Sequence, residues 1–267
     1  EYADIVLPVC SSFECINMGM GFIHPYLQLQ QKAIEPLHES RSDFDIIVDL
    51  ARRLDLGEYF DKSPEEFLEL ILSSEHPAMK GITLEKLKQG PVRARSSGDP
   101  PYTTPSGRIE FYSEKLLEFG EALPVYKEPL ESRNRPEAKK YPLSFFQTHT
   151  RSWVHSRFTN IDWLRQMDPA PVLEMHPADA KKRGIKDGDT VVVFNDRGMI
   201  KIKVMVHQGI KPGVVSTTQG WWPGDFIEGH HQNLTHDAVN PAQVAVHEPN
   251  VAFYDVLVEV EKAREEE

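Results

Sequence analysis

The first stretch of the sequence that could do chemistry lies just past the middle of the chain. It combines hydroxyl groups, imidazole rings and a guanidinium: Thr148, His149, Arg151, His155 and Ser156. Arginine forms bidentate hydrogen bonds with phosphate oxygens, and hydroxyl and imidazole groups can donate to a phosphate or to the edge of a ring. A loop whose polar side chains only cap its own turns would have the same composition. Composition alone therefore leaves a ligand site and a self-capped loop both open.

A second stretch carries three histidines, His230, His231 and His236, together with Asn233 and Thr235. Neutral imidazole is a common ligand of zinc, copper and iron, so a small metal hydrolase could be built on these histidines. No cysteine or carboxylate with a matching spacing completes such a ligand set, and loop histidines also serve in ordinary hydrogen bonds. We therefore keep the metal hydrolase as an alternative and predict no metal ligand in this chain.

The overall charge limits the ligands that the protein can take. With 267 residues, 40% hydrophobic and 27% charged, the chain has the composition of an ordinary globular protein with one or two domains. Its formal net charge of -11 argues against a general surface for nucleic acid or for an anionic membrane. No apolar run is long enough to cross a bilayer, so we predict a soluble protein of the cytoplasm or the periplasm, without direct membrane insertion. Any phosphate site would need locally placed arginines, lysines and backbone N–H groups.

The two cysteines, Cys10 and Cys15, are too few for a disulfide framework or for a four-thiolate zinc or iron–sulfur site. We predict that both are packing residues, as are Trp221 and Trp222. The sequence lacks a nucleophile elbow, a P-loop, a dinucleotide-binding fingerprint and an H-E-x-x-H motif, which are the common signals of hydrolases, kinases, dehydrogenases and metalloproteases. The residues by themselves therefore indicate a binding scaffold.

The first part of the chain is predicted to be mostly helical. Apolar residues at helical spacing follow a capping signal at Ser42, and Ser63 opens a second helix with a capping box. Short apolar or alternating runs favour strands. The predicted elements are a buried strand at 5–7, helices over 42–54 and from 63, a short helix after 83, an irregular loop at 89–105 and a strand at 108–112.

The second part of the chain is predicted to be mostly β. A charged, proline-bearing segment at 128–140 marks a linker between a domain at 1–127 and a domain at 141–267. Strands are predicted at 143–146, 190–194, 200–206, 213–215 and 256–260, with one short helix at 176–183. We expect this sheet to close on itself, because closure removes exposed strand edges.

Several segments, in order along the chain, resemble the molybdopterin oxidoreductases of the dimethyl-sulfoxide-reductase type. In the first half they are 3–8 with Glu14, the helix 42–54 and the segment 104–111. In the second half they are Arg151, His155-Ser156, 176–180 with Gly184-Ile185 and 187–189, the Arg197-Gly198 turn, 212–215 and 233–235. The resemblance therefore spans nearly the whole chain.

This resemblance implies a fold and a cofactor. The fold would be α+β, with a mixed helical and α/β tail of a catalytic region followed by a six-stranded double-psi β-barrel that binds a molybdopterin dinucleotide. The cofactor would be bis(molybdopterin guanine dinucleotide) with molybdenum or tungsten in the full-length enzyme. An iron–sulfur cluster would belong only to the missing N-terminal part.

The resemblance also assigns the candidate residues. Those expected near the pterin and the pyrophosphate are Thr148, His149, Arg151, His155 and Ser156. Those expected near an edge of the pterin are Asn233 and Thr235. No catalytic residue is implied in this chain, because the family's metal-ligating residue lies upstream. The implied partners are the N-terminal domains of the same polypeptide, with room for iron–sulfur and membrane-anchor subunits.

Two questions stay open at the level of sequence. Residues 17–36 look closer to the thiosulfate or polysulfide reductase branch, or to the acetylene hydratase and transhydroxylase branch, than to formate dehydrogenases and nitrate reductases. The chain could also be a freestanding barrel that binds a protein or a small nucleotide without catalysis. The preferred expectation is a cofactor-binding portion of an oxidoreductase that is inactive in isolation.

Overall fold

A computed structural model describes residues 3–21, 23–95, 100–246 and 255–264. The chain forms two compact units, Glu1–Glu110 and Phe111–Glu267. The domain limits derived from the sequence, with a linker at 128–140, stay a prediction. Each unit is described by itself below.

Three helices of the first unit begin where the sequence supplies a cap. Helix α1 (Asp43–Arg53) begins after Ser42, whose side chain accepts a hydrogen bond from the backbone N–H of Asp45 at 3.0 Å. The capping box of Ser63 and Glu66 opens α3 (Pro64–Leu72), and Thr83 caps α4 (Leu84–Gln89). The other helical segments of this unit are α2 (Gly57–Phe60) and a 3₁₀ turn at Pro77–Met79. The three predicted helices are confirmed.

A small antiparallel sheet completes the first unit. Its strands are β1 (Asn17–Met20), β2 (Tyr26–Gln30) and β3 (Val92–Arg93), in that spatial order. Leu27 of β2 packs with apolar residues of α3 and α4 in one buried cluster. Burial of such side chains is the main stabilising term for a unit of this size.

Glu14 ties the loop before β1 to the chain beyond the sheet. Its carboxylate accepts backbone hydrogen bonds from Ser11 at 2.6 Å and from Leu37 at 2.5 Å. The hydrogen bonds from Ser11 hold the pKa of Glu14 below its usual value. Glu14, one of the residues that carry the family resemblance, therefore has a local structural role. Cys10 and Cys15, nearby in the sequence, are free thiols.

Two of the strand predictions for the first part of the chain are wrong. Residues 5–7 form no strand, and the side chain of Ile5 is 79% exposed. Residues 108–112 also form no strand, and Phe111 is 84% exposed. An extended segment is stable as a strand only when a neighbour takes up its N–H and C=O groups. For both segments the described residues provide no such neighbour.

The second unit is built on a closed β-barrel. Its six strands are β4 (Leu143–Thr148), β5 (Val172–Met175), β6 (Thr190–Phe194), β7 (Met199–Val206), β8 (Val214–Thr218) and β10 (Val256–Lys262). The spatial order is β5-β8-β4-β10-β6-β7, and β7 pairs again with β5, which closes the ring. The pairs β4–β8 and β5–β7 are parallel and the others are antiparallel. A two-residue strand, β9 (Glu228–Gly229), pairs antiparallel with β7 at Ile200 and Lys201.

Short helices fill the connections of the second unit. They are α5 (Asp162–Met167), α6 (Pro177–Lys182) and α7 (Pro241–Ala245), with 3₁₀ turns at Glu114–Phe119, Pro136–Lys139, Pro223–Asp225 and His231–Leu234. None of the helices in the described residues combines the length and the apolar character that a bilayer span requires.

The barrel interior is an apolar core. Phe145, Leu173, Val193, Ile200 and Val258 are fully buried in it. Buried residues alternate along β7 with half-buried and exposed ones, as expected for a strand with one face inside a barrel. The predicted α+β class, the hairpin of β6 and β7, and the expected barrel with six strands are confirmed.

Strand directions decide which loops share an end of the barrel. Strand β10 is antiparallel to both β4 and β6, and β8 is parallel to β4. The carboxyl ends of β4, β6 and β8 therefore lie at the same end of the barrel. The connections that leave these strands, starting at residues 149, 195 and 219, open on this end, which we call the rim.

Candidate functional site

Both candidate stretches lie at the rim: the first leaves β4 directly, and Asn233 of the second lies against Gly198 in the turn between β6 and β7. In the first stretch, Gln219 brings three residues together. Its backbone N–H donates to the carbonyl oxygen of Thr148 at 2.8 Å. Its side-chain Nε2 lies 3.2 Å from Nδ1 of His155, and the rings of His149 and His155 meet edge to face at 5.3 Å.

Arg151 and Ser156 are exposed on the same loop. Their neighbours in sequence are anchored instead: Thr150 donates to a carboxylate oxygen of Asp168 at 2.6 Å, and Ser152 donates to the same oxygen. The self-capping interpretation thus accounts for Thr150 and Ser152. The guanidinium of Arg151 and the hydroxyl of Ser156 lie on the solvent side of the loop, where a ligand at the rim can meet them.

The loop has an unusual backbone at His155. The φ angle of His155 is 51°, in the left-handed region that residues with a side chain rarely adopt. The loop turns back between Val154 and Arg157, with a backbone hydrogen bond of 3.0 Å. Non-glycine residues in this region cost on the order of 1 kcal/mol or more and persist only where the surroundings hold them. Here the contacts with Gln219 and the backbone at Gly220 hold the turn.

A buried indole joins the first loop to the segment after β8. Trp221 is buried, packs edge to face on Trp153 at 4.8 Å, and donates from Nε1 to the hydroxyl of Thr218 at 2.7 Å. The guanidinium of Arg165 lies over its ring at 4.9 Å. The prediction of a packing role is confirmed for Trp221. Trp222 is 57% exposed and donates to the hydroxyl of Thr159 at 3.3 Å.

The second stretch is held by the β6–β7 turn. Asn233 packs so closely on Gly198 that a Cβ at position 198 would lie 3.0 Å from the Cβ of Asn233. The next carbonyl, of Leu234, accepts hydrogen bonds from Nδ2 of Asn195 at 2.8 Å and from Nη2 of Arg197 at 2.7 Å. Thr235 donates from its hydroxyl to the carbonyl oxygen of Gln232 at 3.0 Å.

Glu131 connects this arrangement to the barrel wall. Its carboxylate forms a partly buried ion pair with Arg197. The same carboxylate accepts a hydrogen bond from the backbone N–H of Leu257 at 2.7 Å. The carbonyl of Leu234, the guanidinium of Arg197 and the carboxylate of Glu131 form a continuous chain of hydrogen bonds. Because each of these hydrogen bonds has at least one charged partner, Arg197 or Glu131, they are stronger than bonds between neutral groups. They fix the orientation of the segment that carries Asn233.

The three histidines do not form a metal centre. His230 and His231 stack with ring centroids 4.1 Å apart, and Nε2 of His230 lies 3.1 Å from the carbonyl oxygen of Trp221. His236 points elsewhere, with Nε2 3.1 Å from the carbonyl oxygen of Asp255. Among the described residues, no three histidine, cysteine or acidic side chains are grouped closely enough to hold a metal ion. The metal hydrolase alternative therefore has no support.

His231 is held neutral. It is 2% exposed, and burial, followed by the neighbouring His230, lowers its pKa from 6.5 to about 4. A buried group of this kind avoids the charged form because desolvation disfavours it. At neutral pH its ring can only act as a hydrogen-bonding group.

Several buried polar atoms of the rim half have no hydrogen-bond partner within the described residues. They are Nε2 of Gln147, Nε1 of Trp153, Oγ of Ser216, Oγ1 of Thr217 and Nδ1 of His231. Gln147 and Thr217 pair across β4 and β8, two residues beyond the buried pair Phe145 and Val215. They form a polar layer between the apolar core and the rim. Buried polar groups are normally satisfied by protein, by ordered water or by a ligand.

The structure thus brings Thr148, His149 and His155 together and places Arg151 and Ser156 on the same loop. It places Asn233 and Thr235 at the same rim, and no hydrogen bond or ring contact among the described residues joins the two sets directly. Sequence reasoning missed the residues that position both sets: Gln147, Thr217, Gln219, Gly220, Asn195 and Glu131. The Arg197-Gly198 turn was singled out in the sequence, but its contact with Leu234 and Asn233 depends on pairing across the barrel.

Comparison with known proteins identifies the domain that this rim belongs to. Residues 143–247 match the family described as "Molydopterin dinucleotide binding domain". A protein of Halobacterium salinarum that is named as the catalytic subunit of a dimethyl sulfoxide reductase is 37% identical over 279 residues, covering 99% of this chain and 32% of the relative. The dimethyl sulfoxide reductase DmsA of Escherichia coli is 32% identical over 254 residues, covering 83% of this chain and 31% of the relative.

A solved structure agrees with the fold. Acetylene hydratase from Pelobacter acetylenicus superposes with a TM-score of 0.74 at 24% identity, covering 96% of this chain and 38% of the other. At that identity the likeness concerns the fold alone, so the branch expected from residues 17–36 stays a prediction. The chain spans about a third of the length of the curated relatives it matches. Over that third, the chain is similar to the molybdopterin oxidoreductases of the dimethyl-sulfoxide-reductase type, and its residues 143–247 belong to the molybdopterin dinucleotide-binding domain family.

Proposed function

We propose that this chain is the part of a molybdenum or tungsten oxidoreductase that holds one side of a bis(molybdopterin guanine dinucleotide) cofactor at the barrel rim. The observation that carries the proposal is the common position of the two candidate stretches: strand directions put the loop after β4 and the β6–β7 turn at one end of the barrel, and Asn233 lies against Gly198 of that turn. The N-terminal domains of the same polypeptide would hold the rest of the cofactor and its metal.

The residues present fit such a cofactor. A pyrophosphate needs charged or N–H donors, and Arg151, His149 and Ser156 supply them from one exposed loop. A pterin edge presents alternating donors and acceptors, which the amide of Asn233 and the hydroxyl of Thr235 can match. The unpartnered nitrogen atoms of Trp153 and His231 support the same idea, since a polar ligand at the rim could satisfy them.

The cofactor, when bound, supplies the redox chemistry at its metal. The residues of this chain would bind the cofactor, orient it and exclude water from its surroundings. The turn at His155, held against Gly220, would fix the imidazoles facing the phosphates. The chain of hydrogen bonds from Glu131 through Arg197 to Leu234 would fix Asn233. Because no metal ligand is predicted in this chain, we expect it to be inactive in isolation.

The substrate and the partner subunits of the whole protein are also proposals. Relatives carry the name dimethyl sulfoxide reductase, so dimethyl sulfoxide is the first substrate to test with the intact polypeptide. An iron–sulfur cluster in the N-terminal part, and electron-transfer and membrane-anchor subunits, would follow from the same relationship. The alternative, a freestanding barrel that binds a ligand without catalysis, requires no upstream metal-ligating segment.

Metal and pterin analysis of the intact polypeptide tests the proposal. Purified from cells that make the cofactor, it should contain molybdenum or tungsten together with about two pterins per metal, as expected for a bis-pterin cofactor. The chain from residue 1 onwards should contain neither and should not reduce dimethyl sulfoxide with an artificial electron donor. An intact polypeptide that is free of pterin under conditions that load a known molybdopterin enzyme would reject the proposal and favour the freestanding module.

A further inference from the structure

A second basic site lies on the outer wall of the barrel, away from the rim. A groove of about 420 Å³ is formed where β6 begins, along β7 and just beyond the end of β10. We call it the lysine groove; the residues that matter to its chemistry are Asp189, Thr190, Lys201, Lys203, Lys262 and Arg264. Because β6 begins and β10 ends opposite the rim, the groove extends towards the other end of the barrel.

Strand pairing assembles the groove from distant parts of the chain. Lys203 lies opposite Thr190 across β6 and β7, and the backbone N–H of Ala263 donates to the carbonyl oxygen of Thr190 at 2.9 Å. Ile202 and Val204, the neighbours of Lys203, are buried in the core, so Lys203 points outwards. The positions of these cations therefore follow from the barrel itself.

The groove carries an excess of positive charge. Lys262 forms an ion pair with Asp189 at 3.0 Å, and Lys201 lies 3.4 Å from Glu228. Within the part of the chain that the structure describes, no carboxylate lies at ion-pair distance from Lys203 or Arg264. Of the described residues that line the groove, four are cations and one, Asp189, is a carboxylate, in a protein whose formal net charge is -11.

We propose that the lysine groove binds a diphosphate group, either as the free anion or as part of a larger phosphorylated molecule. Phosphoryl oxygens accept charge-assisted hydrogen bonds from ammonium and guanidinium groups, and binding relieves the repulsion between neighbouring cations. Lys203 lies on β7 and Arg264 follows β10, with β6 between them, so their backbones are about 10 Å apart. Two linked phosphoryl groups can contact the flexible side chains of both Lys203 and Arg264. A single phosphoryl group spans a shorter distance and reaches both less readily.

This site is separate from the proposed cofactor contacts. Its lining includes none of Thr148, His149, Arg151, His155, Ser156, Asn233 or Thr235. Binding of a diphosphate at the lysine groove therefore does not depend on whether the rim holds a pterin. A test on the intact polypeptide can score the two proposals independently, by calorimetry for the groove and by pterin content for the rim.

The experiment is a calorimetric titration of the intact polypeptide with pyrophosphate at low ionic strength. The double variant Lys203→Gln/Arg264→Gln should bind pyrophosphate at least about tenfold more weakly than the wild type, since each substitution removes a charged donor. The control variant Lys115→Gln/Lys211→Gln loses the same charge at exposed positions outside the groove and should bind like the wild type. Inorganic phosphate should bind more weakly than pyrophosphate.

Added salt should weaken the wild-type interaction, because exposed charges are screened. Equal affinity of the wild type and the groove variant, or no detectable heat with the wild type, would overturn the proposal. Equal weakening in the groove and control variants would also overturn it, since that result would mean a diffuse effect of net charge. A pyrophosphate arm and an arm with a nucleoside diphosphate would distinguish the free anion from a larger molecule: tighter binding of the second favours the larger ligand.

Discussion

The backbone carbonyl oxygen of His155 lies against the Cα of Gly220, so close that a Cβ at position 220 would overlap it. Gly220 also has a φ angle of 94°, which residues with a side chain rarely adopt. This contact joins the loop after β4 to the segment after β8. The left-handed turn at His155 and the proposed phosphate contacts depend on it.

Replacement of Gly220 should therefore disturb the site more than the barrel. In the intact polypeptide, Gly220→Ala should displace the turn at His155 and lower the amount of pterin that copurifies with the protein. Gly224→Ala is the matched control, because a Cβ at that position meets nothing within 4 Å. The measurement is pterin fluorescence per polypeptide after oxidation. Equal pterin in both variants would show that the contact does not shape the site.

Arg197 should stabilise the second unit through Leu234 and Glu131. Arg197→Ala removes hydrogen bonds to the Leu234 carbonyl and leaves the partly buried carboxylate of Glu131 without its ion-pair partner. We expect a loss of about 1.5 to 3 kcal/mol in the free energy of unfolding, the range for hydrogen bonds to charged groups. Urea unfolding followed by circular dichroism measures it. Arg264→Ala, at an exposed position, should change the stability by less than about 0.5 kcal/mol.

His231 should make the protein less stable in acid. Its folded pKa is about 4 and its ordinary value is 6.5, so below 6.5 the unfolded chain binds a proton that the folded chain does not. Stability should therefore fall as the pH drops from 6.5 towards 4, by a total on the order of 3 kcal/mol. His231→Gln should remove this part of the pH dependence.

The exposed His38 provides the control for that measurement. Its φ angle of 55° is tolerated by asparagine, so His38→Asn should keep the fold and the full acid dependence. Urea unfolding at several pH values between neutral and mildly acidic compares the three proteins. Parallel curves for the wild type and His231→Gln would contradict the buried, neutral state of His231.

The polar layer under the rim should matter for the ligand more than for folding. Gln147→Leu and Thr217→Val replace unpartnered buried polar atoms with apolar groups of similar size. Such replacements are close to neutral or stabilising when no partner is lost. We therefore expect unchanged or higher melting temperatures, with less pterin retained by the intact polypeptide. Gln208→Leu, at an exposed position in the β7–β8 connection, serves as the control. An unchanged pterin content in both Gln147→Leu and Thr217→Val would show that these two residues do not contribute to the cofactor site.

Local signals in the sequence were sufficient for the helices α1, α3, α4 and α6 and for the barrel hairpin, whereas α2, α5 and α7 were not predicted. The caps at Ser42 and Ser63 act within one turn of their helices, and the alternation along 200–206 reports one buried face. Such signals do not show whether a strand has a neighbour. The apolar run at 5–7 and the alternating segment at 108–112 have strand patterns, yet the described residues offer no edge for them to join.

The site was only partly predictable for a related reason. The types of Arg151, His155 and Asn233 suggested donors for phosphate and pterin, and the family resemblance assigned them to the cofactor. The residues that position them act through contacts between distant parts of the chain. The backbone N–H of Gln219 donates a hydrogen bond to Thr148, and the guanidinium of Arg197 donates one to the carbonyl of Leu234. Neither contact has a signature in the order of residues along the chain.

The two rim loops are proposed to hold the same cofactor. The most direct measurement is the pterin and metal content of the intact polypeptide carrying Arg151→Ala or Asn233→Ala, with Arg264→Ala at the opposite end of the barrel as control. Each rim variant should weaken retention, by about tenfold or more for Arg151, whose charged hydrogen bonds would be lost, while the control keeps wild-type content. Full retention of pterin and metal in both rim variants would contradict the account.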